Sequence, residues 1–218
     1  MGLEEVRNYL NTIRRDFSSK PLDGQSVKDD PFEQYGAWFE DAVGCQVPDP
    51  YAACLSTVDQ QGRPSSRMIY IRDIVDNSFV FYTNYNSKKA DNLSLNSNAS
   101  LNVYWVELER QIRIQGKIEK VDSEMSDEYF KNRPRESQIG AWASDQSNVI
   151  SSRDVLTDKI KELEDKFKGK EVARPPHWGG YRLITEKIEF WQGRPNRLHD
   201  RILYIKENNS WRRSRLSP

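Results

Sequence analysis

The sequence predicts an α+β fold that is mainly β: antiparallel strands arranged as a closed or nearly closed barrel with flanking helices. Three observations carry this reading. From Ala53 onward, short β-branched and aromatic runs are separated by turn sequences rich in Gly, Pro, Asp and Asn. Two of those runs are joined by the tight connection ELER at 107–110. Helical segments are inserted between the strands, and no internal repeat or low-complexity tract interrupts the pattern.

The elements follow in order. Val6, Tyr9, Leu10, Ile13 and Phe17 recur at spacings of three and four, which predicts one amphipathic helix over 3–17. The polar segment SSKPLDGQSVKDDP then predicts a mobile linker, so residues 1–29 are expected to form a helix and lid, and 30–218 the main domain. Asp30 is placed to cap a second helix and Pro31 to occupy its first position, with Trp38, Phe39 and Val43 along it. Strands are expected at 53–58, 67–73 and 79–83, with DQQGRP and DIVDNS as turns. A helix over 87–95 is capped by Asn86 or Ser87; strands follow at 100–106 and 111–121. Helices are expected at 123–132, 137–143 and 151–168, the last carrying i,i+4 charge pairs. Strands at 181–185, 187–191, 201–206 and 211–216 close the chain.

Composition narrows the function. Lys plus Arg equals Asp plus Glu at 33 each, so the 218-residue chain has no general attraction for nucleic acid or an anionic membrane, and any basic site is local. No run approaches the roughly 20 apolar residues needed to span a bilayer. Cys45 and Cys54 form no metal pattern, and with two histidines no metal site is expected. The charged N-terminus lacks an apolar signal core, which predicts a cytoplasmic protein with reduced thiols.

The run EFWQGRPNRLHDR, residues 189–201, concentrates a Trp, a Gln, three Arg and one of the two histidines. Read with period two, Arg197, His199 and Arg201 share one face of an extended segment. Like charges on one face repel unless something anionic or aromatic covers them, and a guanidinium, an imidazole and a Trp together suit a planar anionic ligand. A solvated edge strand is the competing reading; the apolar residues flanking the run argue against it.

Two further constellations stand out. Lys88 and Lys89 begin a helix, where the macrodipole disfavours cations, and a bound anion would remove the conflict. The residues alone are equally consistent with a solvated Lys pair. Tyr129, Arg133 and Ser137 recur every fourth residue, but Pro134 disfavours helical geometry at Arg133. The expected arrangement is one helix ending near Arg133 and another beginning at Ser137, with three polar groups converging on a phosphate. Taken alone, Tyr129 reads as a core aromatic and Ser137 as an N-cap.

FWQGRPNRLHDR, with the closing WRRSRLSP, resembles the C-terminal signature of the pyridoxine/pyridoxamine 5′-phosphate oxidase family. The resemblance extends to SSRMIYIR (65–72), FYTNYNSKKA (81–90), ERQIRIQG (109–116), YFKNRPRESQIGAWASDQS (129–147) and HWGGYR (177–182), and so covers most of the chain from about Asp30. It implies a split β-barrel that binds FMN at a homodimer interface. It also implies oxidation of pyridoxine 5′-phosphate or pyridoxamine 5′-phosphate to pyridoxal 5′-phosphate, by hydride transfer from C4′ to FMN and reoxidation by O2 to hydrogen peroxide.

By the same resemblance, Arg67, Met68, Ile69, Tyr70, Tyr82, Thr83, Lys88, Lys89, Gln111, Gln146, Ser147, Trp191 and Arg201 match FMN-binding positions. Arg72, Tyr129, Arg133 and Ser137 match the substrate-phosphate positions, Arg197 and His199 the residues that hold the pyridine ring, and Arg14 an N-terminal position that covers the substrate. The chain departs from the family pattern at two of these places and at one more. Lys88 stands where Arg is common, Arg72 where Lys is usual, and Phe17 where Tyr is often found. A split-barrel flavin reductase would have no need for the substrate set, and a non-catalytic FMN or pyridoxal-phosphate carrier could dispense with His199.

Overall fold

The computed structural model describes residues 2–13, 16–17, 21–22 and 27–218. In chain order these form α1 (Leu3–Thr12), α2 (Pro31–Gly44), β1 (Ala52–Val58), β2 (Pro64–Tyr70), β3 (Asp73–Val75), β4 (Ser78–Asn84), α3 (Lys88–Leu95), β5 (Asn98–Trp105) and β6 (Arg110–Lys120). The remainder comprises α4 (Ser123–Lys131), α5 (Arg135–Ala143), α6 (Arg153–Lys166), β7 (Trp178–Gln192), β8 (Asp200–Glu207) and β9 (Ser210–Arg215). The sheet order is β2-β1-β5-β6-β7-β4-β3, with β8 pairing β7 and β9. Strand β1 pairs antiparallel with β2 and β5, β4 with β3 and β7, and β8 with β9.

The chain divides into two compact units. The larger comprises Asp49–Val103 and Arg113–Ile188. Its sheet core is built from Leu55, Phe79, Phe81, Leu101, Ile114, Leu183 and Ile188, all fully buried. A second cluster, Phe130, Ile139, Ala141, Val172 and Trp178, gathers α4, α5 and the start of β7, with Tyr82 and Tyr129 packed against it. Close approach of backbone and ring requires glycine here. A Cβ on Gly180 would lie 2.6 Å from Val121 Cγ2 and 2.8 Å from Tyr82 Cε1, which explains the second Gly of HWGGYR.

The smaller unit comprises Met1–Pro48, Tyr104–Ile112 and Glu189–Pro218. Asp30 caps α2 by accepting from the Phe32 and Glu33 N–H groups at 2.7 and 3.2 Å, and Pro31 starts the helix. The buried stripe Tyr35, Trp38 and Ala42 follows from that start. Trp38 meets Phe190 edge to face at 5.1 Å, and Tyr204, edge to face with Phe190 at 5.7 Å, donates its hydroxyl to Lys28 O at 2.6 Å.

Several boundaries differ from the sequence reading. Helix α1 stops at Thr12 and buries no residue, so no packed face carries it on to Phe17. DIVDNS is a hairpin: Asp76 and Asn77 have φ of 49° and 57°, the left-handed pair of a two-residue turn, and Val75 pairs with Ser78. Residues 178–192 form one strand where two were expected, because the adjacent exposed residues Glu186 and Lys187 shift the inward-outward alternation without ending it. Helix α5 starts at Arg135, with Gln138 N–H bonded to Pro134 O at 3.0 Å.

The alternation expected through Arg197, His199 and Arg201 is absent. Residues 195–197 form a 3-10 turn in which Asn196 and Arg197 have φ of 56° and 62°, and β8 begins only at Asp200. Pro195 lacks an N–H for a ladder and Asn tolerates the left-handed region, so this segment turns where period-two reading extended it.

Candidate active site

The larger unit holds a cavity of about 770 Å³. Its lining brings together fourteen residues singled out from the sequence: Arg67, Met68, Ile69, Tyr70 and Arg72; Tyr82, Thr83, Lys88 and Lys89; Tyr129, Arg133 and Ser137; Gln146 and Ser147. Pro134 and Trp178 complete it, and sequence reasoning assigned a ligand role to neither. A cavity of about 940 Å³ beside α4, α5 and α6 is larger, but Arg135 there bonds Phe167 O and Lys170 O, and Arg174 bonds Asp127, Ser123 and Trp178 O. Those guanidiniums serve the fold.

One end of the smaller cavity is built to receive an anion. Arg67, on β2, is fixed by hydrogen bonds to Leu55 O, Thr57 Oγ1 and Ser65 Oγ at 2.7–3.0 Å, and Asn92 donates to the same two hydroxyl oxygens. The buried Lys89 ammonium donates to Thr83 Oγ1, Ser87 Oγ and Gln146 Oε1 at 2.8, 3.0 and 2.5 Å. None of these oxygens carries a formal charge. Burial, reinforced by the charge of Arg67, therefore pushes the Lys89 pKa down to about 8, and burial likewise lowers that of Arg67. Ser87 donates its hydroxyl to Asn84 O and so does not cap α3 with its side chain; its carbonyl accepts from the Ala90 and Asp91 N–H groups of the first turn. The backbone of Ser147, at φ 77°, brings its hydroxyl to the Lys88 N–H at 3.3 Å.

The other end is aromatic and cationic. Tyr82 and Tyr129 stack at 3.7 Å and 4°, Trp178 lies nearly parallel to both, and the Arg133 guanidinium covers the Trp178 face at 4.5 Å. Helix α4 ends at Lys131 and α5 begins at Arg135, so Tyr129, Arg133 and Ser137 reach the cavity from two helices and their junction. Arg133 Nη1 is buried and has no hydrogen-bond partner. Burial, and further the charge of Arg72, push the Arg133 pKa down. A buried guanidinium nitrogen with no partner, in a cavity that a second arginine also lines, suits an anion.

In the smaller unit, Trp191 and His199 lie 4.6 Å apart, and Phe17 packs edge-on against both at 5.7 and 5.3 Å. The sequence left Phe17 open between covering such a site and anchoring the first helix; it lies on the two rings, beyond the end of α1. The Arg194 N–H donates to His199 Nδ1 at 3.1 Å, so the neutral ring carries its proton on Nε2. Burial, then the charge of Arg197, lower the His199 pKa. Arg201 grips the buried Glu189 carboxylate through two nitrogens at 2.8 and 3.2 Å and bonds Ser217 O at 2.7 Å. Gln111 is half-buried at the start of β6, Arg197 is exposed, and Arg14 lies outside the described residues.

The donor set fits a flavin nucleotide: Arg67 and Lys89, beside the N-terminus of α3, for a phosphate, with hydroxyl and amide groups beside them for a polyol. Among the described residues no cluster suited to a metal ion is present.

Comparison with known proteins agrees. A pyridoxine/pyridoxamine 5′-phosphate oxidase of Burkholderia thailandensis is 50% identical over 212 residues, covering 96% of this chain and 99% of that protein, and one of Burkholderia mallei matches over the same extent. The crystal structure of PhzG from Burkholderia lata 383, in complex with tetrahydrophenazine-1-carboxylic acid, aligns with a TM-score of 0.86 at 30% identity, over 92% of this chain and 100% of that one. A pyridoxamine 5′-phosphate oxidase-related, FMN binding protein from Nostoc punctiforme shares the fold, with a TM-score of 0.70 at 16% identity over 88% of this chain and 100% of the other.

Fold and site thus define a split-barrel flavoprotein of the oxidoreductase class. Residues 39–167 match the family model described as pyridoxamine 5′-phosphate oxidase, and residues 178–218 the model of the pyridoxine 5′-phosphate oxidase C-terminal dimerisation region. The chain belongs to the pyridoxine/pyridoxamine 5′-phosphate oxidase family.

Proposed function

We propose that the protein is an FMN-dependent oxidase that converts pyridoxine 5′-phosphate or pyridoxamine 5′-phosphate to pyridoxal 5′-phosphate. The observation that carries this is the pairing of Arg72 and Arg133 on one cavity with the orphaned Arg133 Nη1. Two mutually repelling guanidiniums call for a dianion, and a phosphate supplies one.

In this reading Arg67, Lys88, Lys89, Thr83, Gln146 and Ser147 hold the FMN phosphate and ribityl chain. Met68, Ile69, Tyr70, Tyr82, Gln111, Trp191 and Arg201 complete the FMN contacts. Bound there, FMN supplies a hydride acceptor for C4′ that O2 regenerates with release of hydrogen peroxide. Arg72, Tyr129, Arg133 and Ser137 fix the substrate phosphate, so binding energy remote from C4′ orients the ring. Arg197 and His199 hold the pyridine, the latter as a neutral Nε2–H donor. Arg14 and Phe17 belong to a segment that excludes water. The C-terminal dimerisation region supports a homodimer, and in this reading FMN binds at its interface. The free thiols of Cys45 and Cys54 and the lack, among the described residues, of any helix long and apolar enough to cross a membrane support a cytoplasmic setting.

The likeness to PhzG favours a second reading, an oxidase acting on a tricyclic carboxylic acid. A single carboxylate brings one charge to two guanidiniums, which is why the phosphorylated substrate is preferred. Purified protein that is yellow, and that forms peroxide and an aldehyde from pyridoxine 5′-phosphate in air, supports the first reading. Turnover of tetrahydrophenazine-1-carboxylic acid alone supports the second.

A further inference from the structure

Arg72, just beyond β2, rests on two aromatic rings. Its guanidinium carbon lies 4.8 Å from the Tyr70 ring centroid and 5.1 Å from that of Tyr51. The two rings meet edge to face at 5.0 Å and 83°. Their hydroxyls converge on one carboxylate: Tyr51 donates to Asp49 Oδ1 at 2.7 Å and Tyr70 to Asp49 Oδ2 at 3.2 Å. Asp49 itself has φ of 45° and precedes Pro50, a conformation disfavoured both for a non-glycine residue and for one preceding proline. Anchoring at both carboxylate oxygens offsets that local cost.

Arg72 lines the cavity, whereas Asp49 and Tyr51 do not. An exposed arginine that shares a cavity with a second guanidinium, that of Arg133, would ordinarily swing into solvent. Two negative ring faces within 5.1 Å of the guanidinium carbon oppose that tendency. A planar guanidinium stacks on such a face where a compact ammonium does not, so this arrangement is matched to arginine.

We propose that Asp49 and Tyr51 are positioning residues which, with Tyr70, form a carboxylate-anchored aromatic clamp that presents Arg72 as a bidentate ligand to the substrate phosphate. The inference rests on the cavity being the site of the phosphorylated substrate. It is tested by calorimetric titration of the flavin-loaded protein with pyridoxal 5′-phosphate. Tyr51→Leu is expected to weaken binding about fivefold and Tyr51→Phe, which keeps the ring but frees the carboxylate, about twofold, both at unchanged flavin content. In an Arg72→Ala background, Tyr51→Leu is expected to cost nothing further. Equal losses in both backgrounds, or no loss from Tyr51→Leu in the parent, overturn the clamp alone. Failure of the parent protein to bind pyridoxal 5′-phosphate overturns the functional reading and the clamp's role with it.

Discussion

The guanidinium of Arg133 lies 4.5 Å from the centre of the Trp178 ring, and its Nη1 is buried without a partner. A cation held on a ring face with one donor unmet is arranged for a ligand. Charge-assisted hydrogen bonds contribute about 1.5–3 kcal/mol each, so Arg133→Ala is expected to raise KM for pyridoxine 5′-phosphate roughly tenfold to hundredfold. Arg133→Lys keeps the charge and loses the fork, and an intermediate KM is expected. Steady-state kinetics at matched flavin content check both; an unchanged KM in the Ala variant contradicts the assignment.

Lys89 sets a pH dependence. Its pKa falls to about 8 in the flavin-free protein because burial and Arg67 oppose its charge, and an anionic phosphate restores that charge. FMN affinity is therefore expected to weaken as pH rises from about 8 toward 9, with Lys89→Met abolishing the trend. The stability of the flavin-free protein moves oppositely. Between about 8 and the ordinary 10.5 the unfolded chain binds the extra proton, so stability increases with pH across that window. Flavin fluorescence titrations and thermal melts at stepped pH measure the two trends.

His199 is expected to remain neutral to a lower pH than a free histidine, since burial and Arg197 depress its pKa and the Arg194 N–H occupies Nδ1. The acid limb of kcat/KM governed by this group then falls below the usual histidine range. Arg197→Leu removes the like charge and is expected to shift that limb upward, alongside its loss of rate. A limb that does not move in the variant argues that His199 does not govern it.

Gly180 permits the Tyr82 stack. Its Cβ would intrude on Val121 and Tyr82, so Gly180→Ala is expected to cost about 1–3 kcal/mol of stability through overpacking. Flavin retention is expected to fall with it, because Tyr82 must shift. A melting temperature equal to that of the parent protein contradicts this packing argument.

Local chemistry was legible where one residue type has one job. Asp30 followed by Pro31 started α2 as expected, and the glycine of DQQGRP, at φ 78°, turned the chain between β1 and β2. Alternation failed where turn residues intervene: the expected turn DIVDNS holds a short strand, β3, before its two-residue bend at Asp76-Asn77, and Pro195-Asn196 broke the face on which Arg197, His199 and Arg201 were expected to align. The cavity could not be read from spacing at all. Arg67, Lys89, Arg133 and Gln146 lie far apart in sequence, and resemblance, not periodicity, grouped them. Trp178 was missed because it looks like core, and it is core; its signal is the glycine pair after it, of which Gly179 makes room for Tyr85 and Gly180 for Tyr82 on β7.

Oxidation of pyridoxine 5′-phosphate by the flavin-loaded protein in air tests the proposed activity most directly. Equal yields of hydrogen peroxide and pyridoxal 5′-phosphate are predicted, with far weaker turnover of unphosphorylated pyridoxine, because Arg72 and Arg133 then lack their anion. Bound flavin with no turnover of either the pyridoxine or the pyridoxamine phosphate would contradict it.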